Sequence, residues 1–233
     1  MISAAARNNA EWCDAMCRAH GITGVFGEWA WTSESRTPPL YPDAVTLSPR
    51  AVARDVLEGI DRAAPGCSVK DSFGRLDLAA DGFEVIIDAR WIHRPATLAT
   101  PVAPADVVWR PVRTVGDLAR WSAAWSGGDE AMAGIFRTEL LADRATTVLA
   151  GTTDGGRRTV AGAVVSRSTS VIGVSNLFCS DDDPERAWAG CLAAVARLWP
   201  GMPVVGWETG DALDAAVAQG CVPGDALRVW LAV

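Results

Sequence analysis

Few side chains in this sequence are placed to do chemistry, and each has a plainer reading beside it. Glu208 follows the run Val204-Val205-Gly206-Trp207. A carboxylate near a cleft is tuned upward by partial burial toward general-base work; the plainer reading is a surface glutamate at a strand end. Glu28, between Gly27 and Trp29, faces either a groove or the outer side of an alternating strand. Cys179 precedes Ser180, but neither histidine (His20, His93) stands near it in sequence to generate a thiolate, so a buried thiol is expected. The cysteines, Cys13, Cys17, Cys67, Cys179, Cys191 and Cys221, form no Cys-x-x-Cys pair and lie apart from both histidines. That pattern carries no zinc signature and reads as reduced, mostly buried thiols of a cytoplasmic protein. Asp154-Gly155-Gly156 reads as a hairpin turn rather than a phosphate loop, because strand-like segments flank it on both sides.

The bulk numbers narrow the classes. A chain of 233 residues holds one large domain or two small ones. With 49% hydrophobic and 21% charged residues it has the composition of a packed globular protein. A net charge of −7 argues against general nucleic-acid binding, and Arg157-Arg158 is too small a basic cluster to reverse that. The first residues, Met1 to Asn9, turn polar at once, without a secretory apolar stretch. No apolar run reaches the ~18 residues a membrane-spanning helix needs. The expected location is cytoplasmic, with no membrane partner.

The elements that would position these residues follow from periodicity and punctuation. Asn9 to His20 spaces Trp12, Cys13, Met16 and Cys17 as a helical stripe ended by Gly21. Val25 to Thr32 alternates as one strand, and Ala44 to Leu47 is a short β-prone run. Ser48-Pro49 opens a helix expected to reach about Ala64, stopped by Pro65-Gly66. A strand near Val69, a short helix from Gly74 to Ala80 and a strand from Phe83 to Trp91 complete the first half. Arg94 to Asp106, rich in Pro, Ala and Thr, reads as a linker and sets the halves at 1–105 and 106–233. Beyond it the pattern predicts a strand (Val107 to Val112) and a helix (Val115 to Trp125). A hairpin (Thr147 to Gly151, Thr159 to Ser166) and a strand (Val171 to Phe178) follow. The chain then runs through a capped helix from Asp183-Pro184 to Pro200-Gly201, a strand to Trp207, a helix to Gln219 and a last strand from Ala226 to Val233.

The halves repeat each other. Laid over one another without a gap, Pro49 meets Pro184, Leu57 meets Leu192, Arg62 meets Arg197, Pro65-Gly66 meets Pro200-Gly201 and Val69 meets Val204. After short slips, Ala80-Asp81-Gly82 meets Ala218-Gln219-Gly220 and Trp91 meets Trp230. The matches fall on structural punctuation in the right order, with helix length preserved. That is the mark of an internal duplication. The fold class expected is α/β (α+β), in two mixed-sheet halves, the first truncated. Eleven tryptophans are accounted for by core packing or packing at the repeat interface.

On this element order, and on Gly206-Trp207-Glu208-Thr209-Gly210-Asp211 leading to Gly220 and Leu227-Arg228-Val229-Trp230, the second half resembles the GNAT (acyl-CoA N-acyltransferase) superfamily. The resemblance implies transfer of an acyl group from acetyl-CoA or another acyl-CoA to a small-molecule amine. It also implies a pyrophosphate resting where the fourth strand of the fold turns into a helix, on the signature Arg/Gln-x-x-Gly-x-Gly/Ala. Small residues there let phosphate approach, and free N–H groups at a helix start attract anions. Anchored on Leu192, the signature falls on Pro184, Ala187 and Ala189. The latter two are small, the first has lost its cation, and Asp181-Asp182-Asp183 stands just before it. The backbone of Leu177, Phe178, Cys179 and Ser180 would pair with the pantetheine arm. Anchored on Leu57, the first half shows Pro49, Val52 and Arg54, and no cofactor is expected there. The family's thiolate-protonating tyrosine falls on Ala216; the one tyrosine of the chain is Tyr41. The rival reading is a non-catalytic module that kept the scaffold to bind a small molecule or a protein.

Overall fold

The computed structural model describes residues 1–63, 65–180 and 182–233. It falls into two compact units, Met1–Trp91 with Gly224–Val233, and Ile92–Pro223. Both are layers of helix on a mixed sheet, the α/β class expected.

In the first unit, helix α1 (Ile2–Ala19) buries Trp12, Cys13, Met16 and Cys17, the stripe seen in the sequence, and begins earlier than the stripe itself. The Val25–Thr32 segment is not one strand. Gly27 N–H donates to Ala30 O at 2.8 Å, so the chain turns back on itself and β1 (Val25–Phe26) pairs antiparallel with β2 (Ala30–Thr32). β3 (Ala44–Thr46) pairs antiparallel with β2 and parallel with β4 (Ser68–Asp71). The expected long helix is the short α2 (Ala53–Leu57), so the preserved helix length read from the repeat does not hold. The Ser48 hydroxyl accepts from Arg50 N–H in a local turn, and Asp55 accepts from Val52 N–H at 2.9 Å, moving the helix start inward. At the other end a Cβ on Gly59 would meet the Thr32 side chain at 2.6 Å, so the chain there packs backbone-close to β2. Ala64, where the helix was expected to end, lies outside the described residues.

The helix expected at Gly74–Ala80 is a single 3-10 turn over Ala79–Asp81. Gly74 sits at φ +61, which a right-handed helix excludes. The core beneath gathers Val56, Leu78, Phe83 and Trp230, and the chain's one lysine, Lys70, is buried with its ammonium 5.5 Å from the Trp91 ring centre.

The second unit follows the sequence reading closely. β6 (Val108–Pro111), α3 (Val115–Trp125), the β7–β8 hairpin (Thr146–Thr153, Arg158–Arg167), β9 (Ile172–Cys179), α5 (Pro184–Leu198), β10 (Val204–Glu208) and α6 (Gly210–Ala218) occur in the predicted order. The short α4 (Glu130–Ala133) and a 3-10 turn at Thr138–Ala142 have no counterpart in that reading. The sheet order within this unit is β10-β9-β8-β7-β6, antiparallel from β6 to β9 and parallel between β9 and β10. One face packs on α5 around Trp109, Trp188 and Leu192.

The division of the chain differs from the cut after residue 105. β5 (Phe83–Arg94) runs past Trp91, and the supposed linker folds onto the second unit, because Arg94 donates to Gln219 O (2.8 Å) and Ala99 O (2.5 Å). β11 (Val222–Ala232), assigned by sequence to the second half, pairs antiparallel with β4 through Arg228↔Asp71 to Leu231↔Ser68. Residues Gly224–Val233, which include most of β11, therefore belong to the first unit.

Candidate functional site

Of the site residues expected in the second half, Leu177–Cys179 end β9, Ser180 follows it, Glu208 ends β10, and Ala187 and Ala189 lie on α5. These parallel strands are in register at just two positions, Val204↔Ile172 and Val205↔Gly173. Gly206 follows, and a Cβ there would stand 3.0 Å from Val174 O, so the backbones still touch at this point. Beyond it β9 continues to Cys179 and β10 to Glu208 with no further paired positions.

The cause lies in β9. Asn176 has φ +54, and pairing with β8 jumps from Val164↔Ser175 to Gly162↔Phe178. A bulge re-aims a strand and changes the direction of its backbone groups. Asparagine tolerates positive φ better than most residues. Leu177–Ser180 at the end of β9 and Trp207–Glu208 of β10 thus lie beyond the last position at which the two strands are in register, and the interval between them is the candidate slot.

The side chains of the β9 segment are committed in alternation. Leu177 packs against the core under α5. On the other face the Phe178 ring stands 5.3 Å from Trp121 of α3, edge to face, and Trp121 donates to Leu149 O at 2.9 Å. Phe136 and Trp125 extend this aromatic packing. Cys179 is half-buried rather than buried, beside Val107, Trp109 and Ala187 around a small crevice. Ser180 is exposed and its N–H donates to Val160 O at 2.8 Å. What remains for a ligand on the slot side is main chain.

Ala187 and Ala189 sit in the first turns of α5, 3% and 9% exposed. Asp183 caps this helix by accepting from Arg186 N–H at 3.0 Å. The Arg186 guanidinium in turn grips Asp106 with one nitrogen to both oxygens, at 2.7 and 2.9 Å. That hydrogen bond, with help from Asp106's own backbone N–H, holds the Asp106 carboxyl below its ordinary 3.8. Two carboxylates thus stand around the helix start. Pro184 at N1 contributes no N–H there. Asp182 is exposed, with φ +57; Asp181 lies outside the described residues.

Glu208 ends β10, half-buried, across the slot from the β9 segment. Its charge reaches the Cys221 thiol, which burial pushes up to about 12; Arg94 opposes that rise and Glu208 adds to it. Arg94 and Glu208 thus both act on the same buried thiol, and Glu208 stands at the end of its strand. Ala216, where the family's tyrosine would stand, is fully buried in the core. Glu28 is exposed at the β1–β2 turn. No group of three or more His, Cys, Asp or Glu side chains placed to hold a metal ion occurs among the described residues. No helix among them is long and apolar enough to cross a membrane.

In the first unit a second parallel strand pair ends in side-chain hydrogen bonds. β3 and β4 are likewise in register at two positions, Ala44↔Val69 and Val45↔Lys70. Past these, Thr46 Oγ1 accepts from Ser72 N–H at 2.8 Å, and the buried Asp71 carboxylate accepts from Phe73 N–H (3.1 Å) and Leu76 N–H (2.7 Å).

Asn176, Arg186 and Asp106 escaped the sequence reading, and Gly206 entered it only as part of a motif, not as the point where the strands part. A glycine inside an apolar strand and an asparagine in another were the available signals, since both mark bulges or close backbone approach. The Arg186–Asp106 pair spans too much sequence to be visible.

No family model matches this sequence, and no curated protein does. Solved structures do match. A GCN5-related N-acetyltransferase from Kribbella flavida aligns with a TM-score of 0.66 at 17% identity, over 98% of this chain and 95% of that one. A GCN5-related N-acetyltransferase from Sphaerobacter thermophilus aligns at 0.51 and 12%, over 98% and 92%. A conserved protein of unknown function from Staphylococcus epidermidis aligns at 0.58 and 13%, over 72% of each chain. At these identities the likeness is one of fold: this chain has the fold of the GNAT acetyltransferases.

Proposed function

We propose that the second unit takes an acyl-CoA in the β9–β10 slot and transfers its acyl group to a small-molecule amine. The observation that carries this reading is the parting of β9 and β10 after Gly206, with the Asn176 bulge turning β9 aside. Such a slot presents main-chain polar groups of Leu177–Ser180 to an extended, amide-bearing arm, which suits strand-like pairing. Ala187 and Ala189 keep the α5 start free of bulk. Glu208 accepts the proton of the incoming amine as the C–N bond forms and the C–S bond breaks, and CoA leaves as its thiolate to be protonated by water; the transfer is direct, since no activated nucleophile is found there among the described residues.

A second reading rests on a specific observation: Asp183 and Asp106 surround the helix start where phosphates would settle, and like charge opposes them there. It makes the chain a non-catalytic module binding a small molecule or protein partner.

Calorimetric titration with acetyl-CoA at low salt separates the two. The transferase reading expects saturable heat, tighter in Asp182→Ser, and in Glu208→Gln a loss of transfer of about 100-fold or more with binding retained. Absence of heat in both wild type and Asp182→Ser leaves the second reading.

A further inference from the structure

The signature position at Pro184 carries no cation, but Arg186 stands two residues on, the one basic residue in the first turn of α5. It lines the small crevice that Cys179, at the end of β9, and Ala187 also line. Its guanidinium therefore lies beside both elements that bound the proposed phosphate position. One terminal nitrogen donates to both oxygens of Asp106, at 2.7 and 2.9 Å. Asp183, whose other oxygen caps the helix, lies 4.0 Å from Nε.

Asp106 sits in the aperiodic segment ahead of β6, and its side chain is 68% exposed against 42% for Arg186. A pair so open to water is held weakly, because each charge is well hydrated when apart and salt screens the attraction. The contact uses one nitrogen, not the two-nitrogen fork by which a guanidinium best matches an oxyanion. A diphosphate brings more charge and more acceptor oxygens than one carboxylate, so it wins a competition for the same guanidinium. We infer that Asp106 is a stand-in for the diphosphate of the acyl-CoA: Arg186 exchanges Asp106 for that group, and the loosened carboxylate turns to solvent. This rests on the acyl-CoA reading of the slot and adds to it a displaceable latch. Of the two carboxylates that oppose phosphate at the helix start, Asp106 is the one that binding removes, while Asp183 stays in the cap.

The test is calorimetric titration of the whole protein with acetyl-CoA at low salt, in wild type, Asp106→Asn, Arg186→Gln and the double variant. Asp106→Asn is expected to bind at least threefold tighter than wild type, and Arg186→Gln at least tenfold weaker. In the Arg186→Gln background the Asp106→Asn gain is expected to shrink below twofold, because the latch acts through Arg186. Both side chains are exposed, so the thermal midpoints stay near the wild-type value. A gain from Asp106→Asn that persists undiminished without Arg186 is plain charge repulsion and overturns the latch. Equal affinities in wild type and both single variants overturn it too, and leave the slot standing. No saturable heat in any of the four proteins removes slot and latch together.

Discussion

Gly190 lies in α5 where Trp109 of β6 presses on the helix, and a Cβ there would fall 2.0 Å from the indole nitrogen. Both partners are in the core of the second unit, so neither gives way without moving its strand or helix. Gly190→Ala is therefore expected to destabilise the unit by about 1–3 kcal/mol despite alanine's better helix propensity, read as a lowered guanidinium midpoint. The cysteines give a pH prediction. Burial raises the thiols from an ordinary 9.0, to about 11 for Cys13 and about 12 for Cys17, Cys191 and Cys221. A raised acid pKa in the folded state means the thiol form is favoured there. The associated stability is full below pH 9 and is lost as pH climbs toward 11–12. Denaturant midpoints are expected to hold between pH 7 and 8.5 and to drop steeply above pH 10, with disulfide reagents blocked at these four positions until unfolding. At this scale the sequence spoke unevenly. Side chains that act by type, such as the Asp183 cap and the Trp12 stripe, were legible. Arg186 and Asp106 were not, because their meeting depends on how an aperiodic segment lies down.

At the level of elements, the slot depends on where two strands stop pairing. Asp183→Ala removes the α5 cap and, with it, one of two carboxylates beside the proposed phosphate site. It is expected to lower stability by about 1 kcal/mol while tightening acetyl-CoA binding severalfold, two opposite readings from one change. Loss of stability with unchanged or weaker binding would count against the slot as the cofactor site. Elements with strong caps and full periodicity matched their sequence limits: α3 spans Val115–Trp125 as predicted, with Thr114 accepting from Asp117 N–H at 3.1 Å. α2 did not, since the Ser48 turn and the Asp55–Val52 bond move its start inward and a close-packed Gly59 ends it early. The Val25–Thr32 segment alternates well enough for one strand; the Gly27 turn that folds it in two is decided by pairing with β3, which local pattern does not encode.

For the whole molecule, the repeat in the sequence matched strand-helix-strand order but not partnership. β5 and β11 are the corresponding closing strands, yet β11 pairs beside β4 in the first unit. A fragment ending at residue 105 is accordingly expected to lack a native first unit, as judged by near-ultraviolet dichroism, and to recover it when a peptide of residues 221–233 is supplied. Trp230→Ala, in the full chain, empties a core position of the first unit and is expected to cost about 3–5 kcal/mol there. Hydrogen exchange reads that loss in β3 and β4 while β7–β9 stay protected. Strand partners so distant in sequence follow from register and packing across the fold, not from local signals, which is why the sequence suggests a cut near residue 105 while the compact units divide at Trp91 and Gly224.

The return of β11 also fixes an order of events during synthesis. The ribosome delivers every strand and helix of the second unit before the strand that completes the first. Until Arg228–Leu231 emerges, the nascent β4 edge stays bare and open to pairing with other chains. The amino-terminal unit is thus the last to mature, and the period of exposure to chaperones and to aggregation belongs to it.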